Sequence, residues 1–255
     1  MQRTRESAAP LETAPGALVV ETDGVMVRYR DGWHEAKLGV VGGQVAGDLR
    51  AISYVAAREG PEQFGPRLLA EAARRGALAI VGWEDQRREI AALRPVTVIG
   101  DGAPWIWNVA ADHFATRQEI VDFYHASEHL WTAARCVFGT LSPTTTAWAQ
   151  THLHRLSHDG PAPVLTALAS LTPPDSSAAE SLRQERAYVR KNASRMEYPT
   201  YRAQGLPLGS GAVESSGKHL VQQRMKRPGA RWSEPGAQAL LTLRSYLLSD
   251  RSLTA

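Results

Sequence analysis

Cysteine is almost missing from this chain: Cys136 is the single one in 255 residues. No intramolecular disulfide can therefore hold the fold, and a disulfide-rich scaffold is excluded. Cys136 itself reads as a small buried hydrophobe. Long apolar runs are missing too, since none approaches the roughly 20 residues that a helix needs to cross a bilayer. The opening MQRTRESAAPLETAPG lacks the apolar centre of a secretion signal. It mixes proline, alanine and charge as a tether does. Together these absences set the expectation of a soluble cytoplasmic protein. No internal repeat occurs, which argues against a solenoid. Nor is there a large excess of one charge: 29 Lys and Arg against 26 Asp and Glu leave a net +3. Total charge then says little about partners, and its distribution has to carry the reading. What is present is an apolar fraction of 43%, enough for a substantial core in one elaborated domain or two small ones.

The order of elements comes from the period of the apolar residues. In ALVVETDGVMVRYRDGWHEAKLGVVGG, Val19, Glu21, Asp23, Val25 and Val27 share one parity and β-branched residues are dense. Arg30-Asp31-Gly32 marks a turn between two strands. Residues 51–58 add a third, giving an antiparallel meander. Phe64, Leu68, Leu69 and Ala72 then recur at helical spacing until Gly76. Val96, Val98 and Ile99 form a short strand ending at Gly100-Asp101-Gly102, and a fifth short strand runs into a helix near Asp122. From about 126 to 200 the signals are helical, broken at Thr172–Ser177, and two further helices follow LPLGSG. A meander followed by helix-linked strands predicts an α/β protein with a mixed five-stranded sheet and flanking helices. This order resembles the ribonuclease-H-like fold.

Two phrases place an acid at or near a strand end with glycine behind it: Asp23 in VVETDGV and Asp101 in VTVIGDGA. Glycine allows a sharp turn and close approach of a ligand. Neighbouring carboxylates repel unless a cation lies between them, and magnesium prefers such hard oxygen ligands. Asp-Gly is also a common turn dipeptide, so each phrase alone is more often a turn than a ligand. Glu214 offers a third acid, in the first turns of a helix opened by Gly209-Ser210-Gly211 with Ser210 read as its N-cap. An acid there also suits the helix dipole. No acidic residue lies between 215 and 231, while Lys218, Arg224, Lys226, Arg227 and Arg231 do, with His219 among them. A basic stripe beside acids is what a phosphodiester-cutting enzyme needs, although charge runs are also ordinary solvated faces. Trp232 beside the run could stack on a base or serve the core. Trp105, Trp107 and Trp131 read as packing residues. Of His152, His154 and His158 only the last two share a helical face, which speaks against zinc.

These phrases, with DFYHASEHLW and GLPLGSGAVESSGKHLVQQRMKRPGARWS, resemble bacterial insertion-sequence transposases of the ISKra type from about residue 17 to 248. The resemblance implies a DDE transposase, with Asp23, Asp101 and Glu214 as the catalytic and metal-holding triad. Two magnesium ions are implied, or manganese, with Asp23 bridging them in a phosphoryl transfer that cleaves and rejoins DNA. Asp122 and His125 match an accessory D-x-x-H signature, in which the histidine contacts DNA, braces the site or is merely structural. Lys218, His219, Arg224, Lys226, Arg227 and Arg231 would bind DNA. The implied layout is a tether over 1–16, a catalytic core over 17–125 and 206–250, and an all-helical insertion over 126–205 before the last catalytic helix. Element ends and target DNA, and a homodimer or larger assembly, are the implied partners. Two departures stand out. Such transposases carry an N-terminal end-recognition region, whereas this chain starts close to the first catalytic strand, so a truncated form is an open reading. Ser216 and Gly217 also stand where alanine and cysteine are expected. A ribonuclease-H-like nuclease without strand transfer and a non-catalytic DNA-binding remnant remain alternatives. A glycosidase with paired carboxylates leaves the basic stripe unexplained.

Overall fold

A computed structural model describes residues 16–84, 87–92 and 94–249. They contain a five-stranded sheet in the order β3-β2-β1-β6-β7 and a two-stranded one, β4-β5. The larger sheet is built from β1 (Ala17–Tyr29), β2 (Gly32–Val45), β3 (Asp48–Ala57), β6 (Val96–Gly100) and β7 (Arg117–Val121), and the smaller from β4 (Leu78–Glu84) and β5 (Arg87–Ala92). The α/β architecture with helices flanking the sheet is compatible with the ribonuclease-H-like order expected above. The chain divides into two compact units. The first holds the described residues of Met1–Val96, Val109–Gln118 and Ala212–Ala255, and the second holds Thr97–Asn108 and Glu119–Gly211. Among the described residues, no helix is long and apolar enough to cross a membrane.

In the first unit β1 and β2 pair antiparallel from Ala17↔Gln44 to Tyr29↔Gly32, so Arg30 and Asp31 form the two-residue turn. Alternation is clean only at the turn end of β1. There Val25, Val27 and Tyr29 are buried while Met26 and Arg28 are exposed. Residues 18–22 are buried without interruption, as a strand covered on both faces must be. α1 (Pro61–Arg74), which packs on β2 and β3, starts with proline in its first turn and buries Phe64, Leu68 and Ala72 at four-residue spacing. Gly76 ends it in the left-handed region, φ +83°. Arg75 is fully buried, donating to Ser53 Oγ at 2.6 Å and to the Ile52 carbonyl at 3.1 Å. Its charge is thereby hydrogen-bonded, as burial requires. On the odd-numbered face of β1, Val25, Val27, Tyr29 and Leu38 share a core with Val213, Leu220, Val221, Met225, Ala237 and Leu241. These last six come from the C-terminal helices.

The second unit is mostly helical. α2 (Pro104–His113) follows β6, and α3 (Phe123–Phe138) follows β7. After them come α4 (Pro143–Asp159), α5 (Pro161–Ser170), α6 (Ser176–Asn192), a 3-10 turn at Ala193–Arg195, and α7 (Tyr198–Ala203). Three side-chain caps set the starts: Asp122 for α3, Ser142 for α4 and Asp175 for α6. Gly139 and Gly160, at φ +86° and +81°, separate α3, α4 and α5. The helical run and its break before Ser176 follow the sequence expectation. The β4-β5 hairpin and α2 were not anticipated. Trp107 is buried in α2, and the Arg195 guanidinium lies 4.6 Å from its ring centre, so Trp107 packs as expected. His154 and His158 stack ring on ring at 4.1 Å, and His158 Nδ1 lies 2.9 Å from the His154 carbonyl.

A methyl group on Gly39 would lie 2.6 Å from Leu68 Cδ1 and 3.3 Å from Phe64 Cζ, both on the buried face of α1. Gly39→Ala is therefore expected to destabilise by about 1–3 kcal/mol. The measurement is urea unfolding, where the midpoint falls and the slope stays unchanged.

Candidate functional site

The first unit holds Asp23 and Glu214. Asp23 pairs with Leu38 in the β1-β2 ladder, and its own carboxylate accepts from Gly24 N at 2.7 Å. Side chains two apart on a strand share a face, so Glu21, Asp23 and Val25 point the same way. Glu21 is buried and its Oε2 accepts from Val213 N at 2.8 Å. Val25 lies under Gly217, where a methyl group would come within 3.3 Å of Val25 Cγ2 and 3.5 Å of Leu38 Cδ1. Glu21 and Val25 therefore meet the helix at Val213 and Gly217. Asp23, between them on the same face, lies below the turn that carries Glu214.

That helix is not uniform. It runs as α8 (Gly211–Ser216), a π-helical stretch at Gly217–Gln222, and α9 (Gln223–Met225). Such wide turns mark sites where a helix is re-aimed. Gly217, a departure from the expected family pattern, has a structural reason here: it lets the helix backbone approach β1 closely. The Ser210 hydroxyl donates to Asp122, and the Val213 N–H that an N-cap at 210 would accept from goes to Glu21.

Every proposed DNA-binding side chain in this unit is exposed: Lys218, His219, Arg224, Lys226, Arg227 and Arg231. Arg224, Lys226 and Arg231 have no carboxylate partner among the described residues, and Arg227 Nε donates only to the Gln223 carbonyl, at 3.3 Å. Trp232 is tied down. Its indole N–H donates to the Met225 carbonyl at 3.1 Å, and its backbone bonds Arg28 and Arg30 in a short extension of β1.

The second unit holds Asp101, Asp122 and His125. Asp101 follows β6, and its Oδ1 accepts from Ala103 N at 2.8 Å. Its carbonyl accepts the Tyr188 hydroxyl of α6 at 2.7 Å. Gly102 sits at φ +96°, and a side chain there would meet the Tyr188 ring at 2.8 Å and Asn192 Nδ2 at 3.1 Å. Tyr188 in turn stacks on His129 at 3.4 Å, and His129 Nδ1 lies 2.5 Å from Glu185 Oε2. Burial first, then the negative charges of Asp101 and Asp122, push the Tyr188 hydroxyl well above its usual value, so it remains a donor. Tyr188 is a positioning residue that the sequence did not single out.

Asp122 is fully buried and saturated. One oxygen accepts from Tyr124 N at 2.6 Å and His125 N at 3.1 Å, and the other accepts from both the backbone N–H and the hydroxyl of Ser210. It caps α3 and staples Ser210 beside it. His125 is half-buried, and its ring and the Asp122 carboxylate offer ligand atoms within 4.8 Å of each other.

Neither Asp101 nor Glu214 has a cationic partner among the described residues, so both keep carboxylate lone pairs for a metal. Asp122, with four donors already on it, is suited to an architectural part.

No protein-family model matches the chain, and no curated protein does. Among solved structures it is similar to a chain of the simian T-cell lymphotropic virus intasome in complex with the PP2A regulatory subunit B56 gamma. The identity is 12% and the TM-score 0.25, over 73% of this chain and 51% of that one. This chain thus spans about half the length of the chain it matches.

Two outcomes follow from the second unit. Asp122→Asn would set amide hydrogens against the Ser210 or helix donors, and is expected to lower stability by about 3 kcal/mol in urea unfolding. Tyr188→Phe is expected to cost only about 1 kcal/mol of stability. If Asp101 holds metal, Tyr188→Phe also raises the magnesium needed for half-maximal activity about tenfold, because the ligand loses its outer brace.

Proposed function

We propose that the chain is a DDE-type enzyme that cleaves and joins DNA strands, in the manner of a bacterial insertion-sequence transposase, with Asp23, Asp101 and Glu214 as its acidic triad. The observation that carries the reading is the seating of the Glu214 helix on β1. The Glu21–Val213 bond and the Val25–Gly217 contact bracket Asp23. A basic run free of acidic residues continues from the same helix on exposed side chains, as a phosphate backbone would need. Asp101, without a cationic partner among the described residues and with its loop braced by Tyr188, supplies the third carboxylate.

Two magnesium ions, or manganese, when bound supply Lewis-acid activation of the attacking oxygen and stabilisation of the leaving one. The chain's own part is to hold the three carboxylates ready and to carry DNA on Lys218, His219, Arg224, Lys226, Arg227 and Arg231, with His125 an accessory group next to Asp122. Proposed partners are element-end and target DNA and a second copy of the chain, in a dimer or larger assembly.

The test is a cleavage and strand-transfer assay on DNA carrying the element ends, with magnesium or manganese, comparing wild type with Asp101→Asn. Metal-dependent nicking that drops by at least about a hundredfold in Asp101→Asn is expected, together with joined 3′ ends. Nicking without joined products would reduce the reading to a nuclease. Wild type that binds DNA and never cuts would overturn the catalytic reading in favour of a DNA-binding remnant.

A further inference from the structure

A cleft of about 470 Å³ lies in the first unit, between the β1-β2 hairpin and the loop after α9. Its walls include Arg28, Trp33, Lys226, Arg227 and Arg231. Arg28 and Trp33 are cross-strand partners, and the Arg28 guanidinium lies 5.7 Å from the indole centre. Trp33 is 54% exposed, which is costly for a large aromatic ring with no partner to cover it.

The loop wall is pre-formed. Ala230 N bonds the Arg227 carbonyl at 3.0 Å, and Gly229 lies at φ +76°. Arg227-Pro228-Gly229-Ala230 therefore has the glycine placement of a type II turn. Both ends of the loop are pinned by Trp232, through its indole bond to Met225 and its backbone bonds to Arg28 and Arg30. The nearby acids serve other cations: Asp31 pairs with Arg58 and His34, and Glu234 with Arg58. Among the described residues Arg28, Lys226, Arg227 and Arg231 have no carboxylate partner. The cleft thus joins four uncompensated cations to one open aromatic face on a rigid frame.

We propose that this cleft binds an unpaired nucleotide of a nucleic-acid strand, with its base on Trp33 and its flanking phosphates on Arg28, Arg227 and Arg231. A nucleotide uses both features of the cleft, whereas an acidic peptide would use the cations and leave the indole idle. A cavity in the range of small-molecule sites, about 300–1,000 Å³, has room for one base and its sugar. The inference rests on the nucleic-acid reading above and adds the strand form that this face holds.

The experiment is fluorescence anisotropy with the full chain, using an oligothymidylate of about twelve nucleotides and a duplex of the same length. Trp33→Ala is expected to weaken single-strand binding about tenfold and duplex binding far less, and Trp33→Phe to restore most of it. Arg227→Ala with Arg231→Ala is expected to flatten the salt dependence of single-strand binding by about 1.4 in the log–log slope. Thermal melts confirm that each variant folds. Single-strand binding unchanged in Trp33→Ala overturns the proposal, as does polyglutamate competing equally well against wild type and Trp33→Ala. Failure here is separate from failure of the catalytic reading: a wild type that cuts DNA while Trp33→Ala binds single strands normally sinks only the cleft. A wild type that never cuts while Trp33→Ala loses single-strand affinity sinks only the chemistry.

Discussion

The buried carboxylate of Glu21 is the contact on which the first unit's site depends. A carboxylate inside a protein is stable only when donors replace its water, and a helix start has backbone N–H groups in need of acceptors. Glu21 and the amide of Val213 meet each other's need at 2.8 Å. The bond fixes where along β1 the helix begins, and so which strand residue lies under Glu214. A glutamate at this strand position therefore sets the register of a helix that starts almost two hundred residues later. Gly217 completes the docking one helical turn on, since its lack of a side chain lets the backbone close onto Val25 and Leu38.

Much of this architecture was legible in the order of periods. The Arg30-Asp31 turn, the α1 stripe of Phe64, Leu68 and Ala72, the stop at Gly76 and the short strand before Asp101 are each local patterns, and each forms where its pattern lies. The alternation along β1 was only half informative, because residues 18–22 are covered on both faces and so show no polar partner rows. The β4-β5 hairpin escaped because LAIVGWEDQRREIAA has neither a glycine-based turn nor a clean period of two. α2 escaped because PWIWNVAADH is apolar almost throughout up to Ala111 and so shows no clear helical period.

Of the candidate site, the acids and the basic run were visible as residue types, but their supports were not. Glu21 looked like one more polar residue in the parity of Asp23. Tyr188 lies 87 residues from Asp101, and nothing local to α6 marks it. Asp122 was noticed for its spacing to His125. Its four accepted bonds give that spacing a different meaning, because the aspartate opens α3 and holds Ser210. Ser210 was expected to cap the Glu214 helix, but the Val213 N–H that such a cap accepts from is taken by Glu21, and the Ser210 hydroxyl donates to Asp122.

The two units brace their acids by different means, and the difference has a physical logic. Asp23 stands inside an antiparallel ladder, where its backbone is fixed by Leu38 opposite and needs no further support. Asp101 stands in a turn, the kind of segment that would otherwise move most. Its carbonyl is held by Tyr188, Gly102 packs against the same ring, and His129 with Glu185 holds that ring from behind. The supports come from α3 and α6, so the helical stretch after β7 is part of how Asp101 is positioned. A carboxylate in a turn keeps a fixed position only when other elements hold the turn. The long helical run between Asp101 and Glu214 thus has a purpose within its own unit, which is to give a loop acid the rigidity that a strand acid has already.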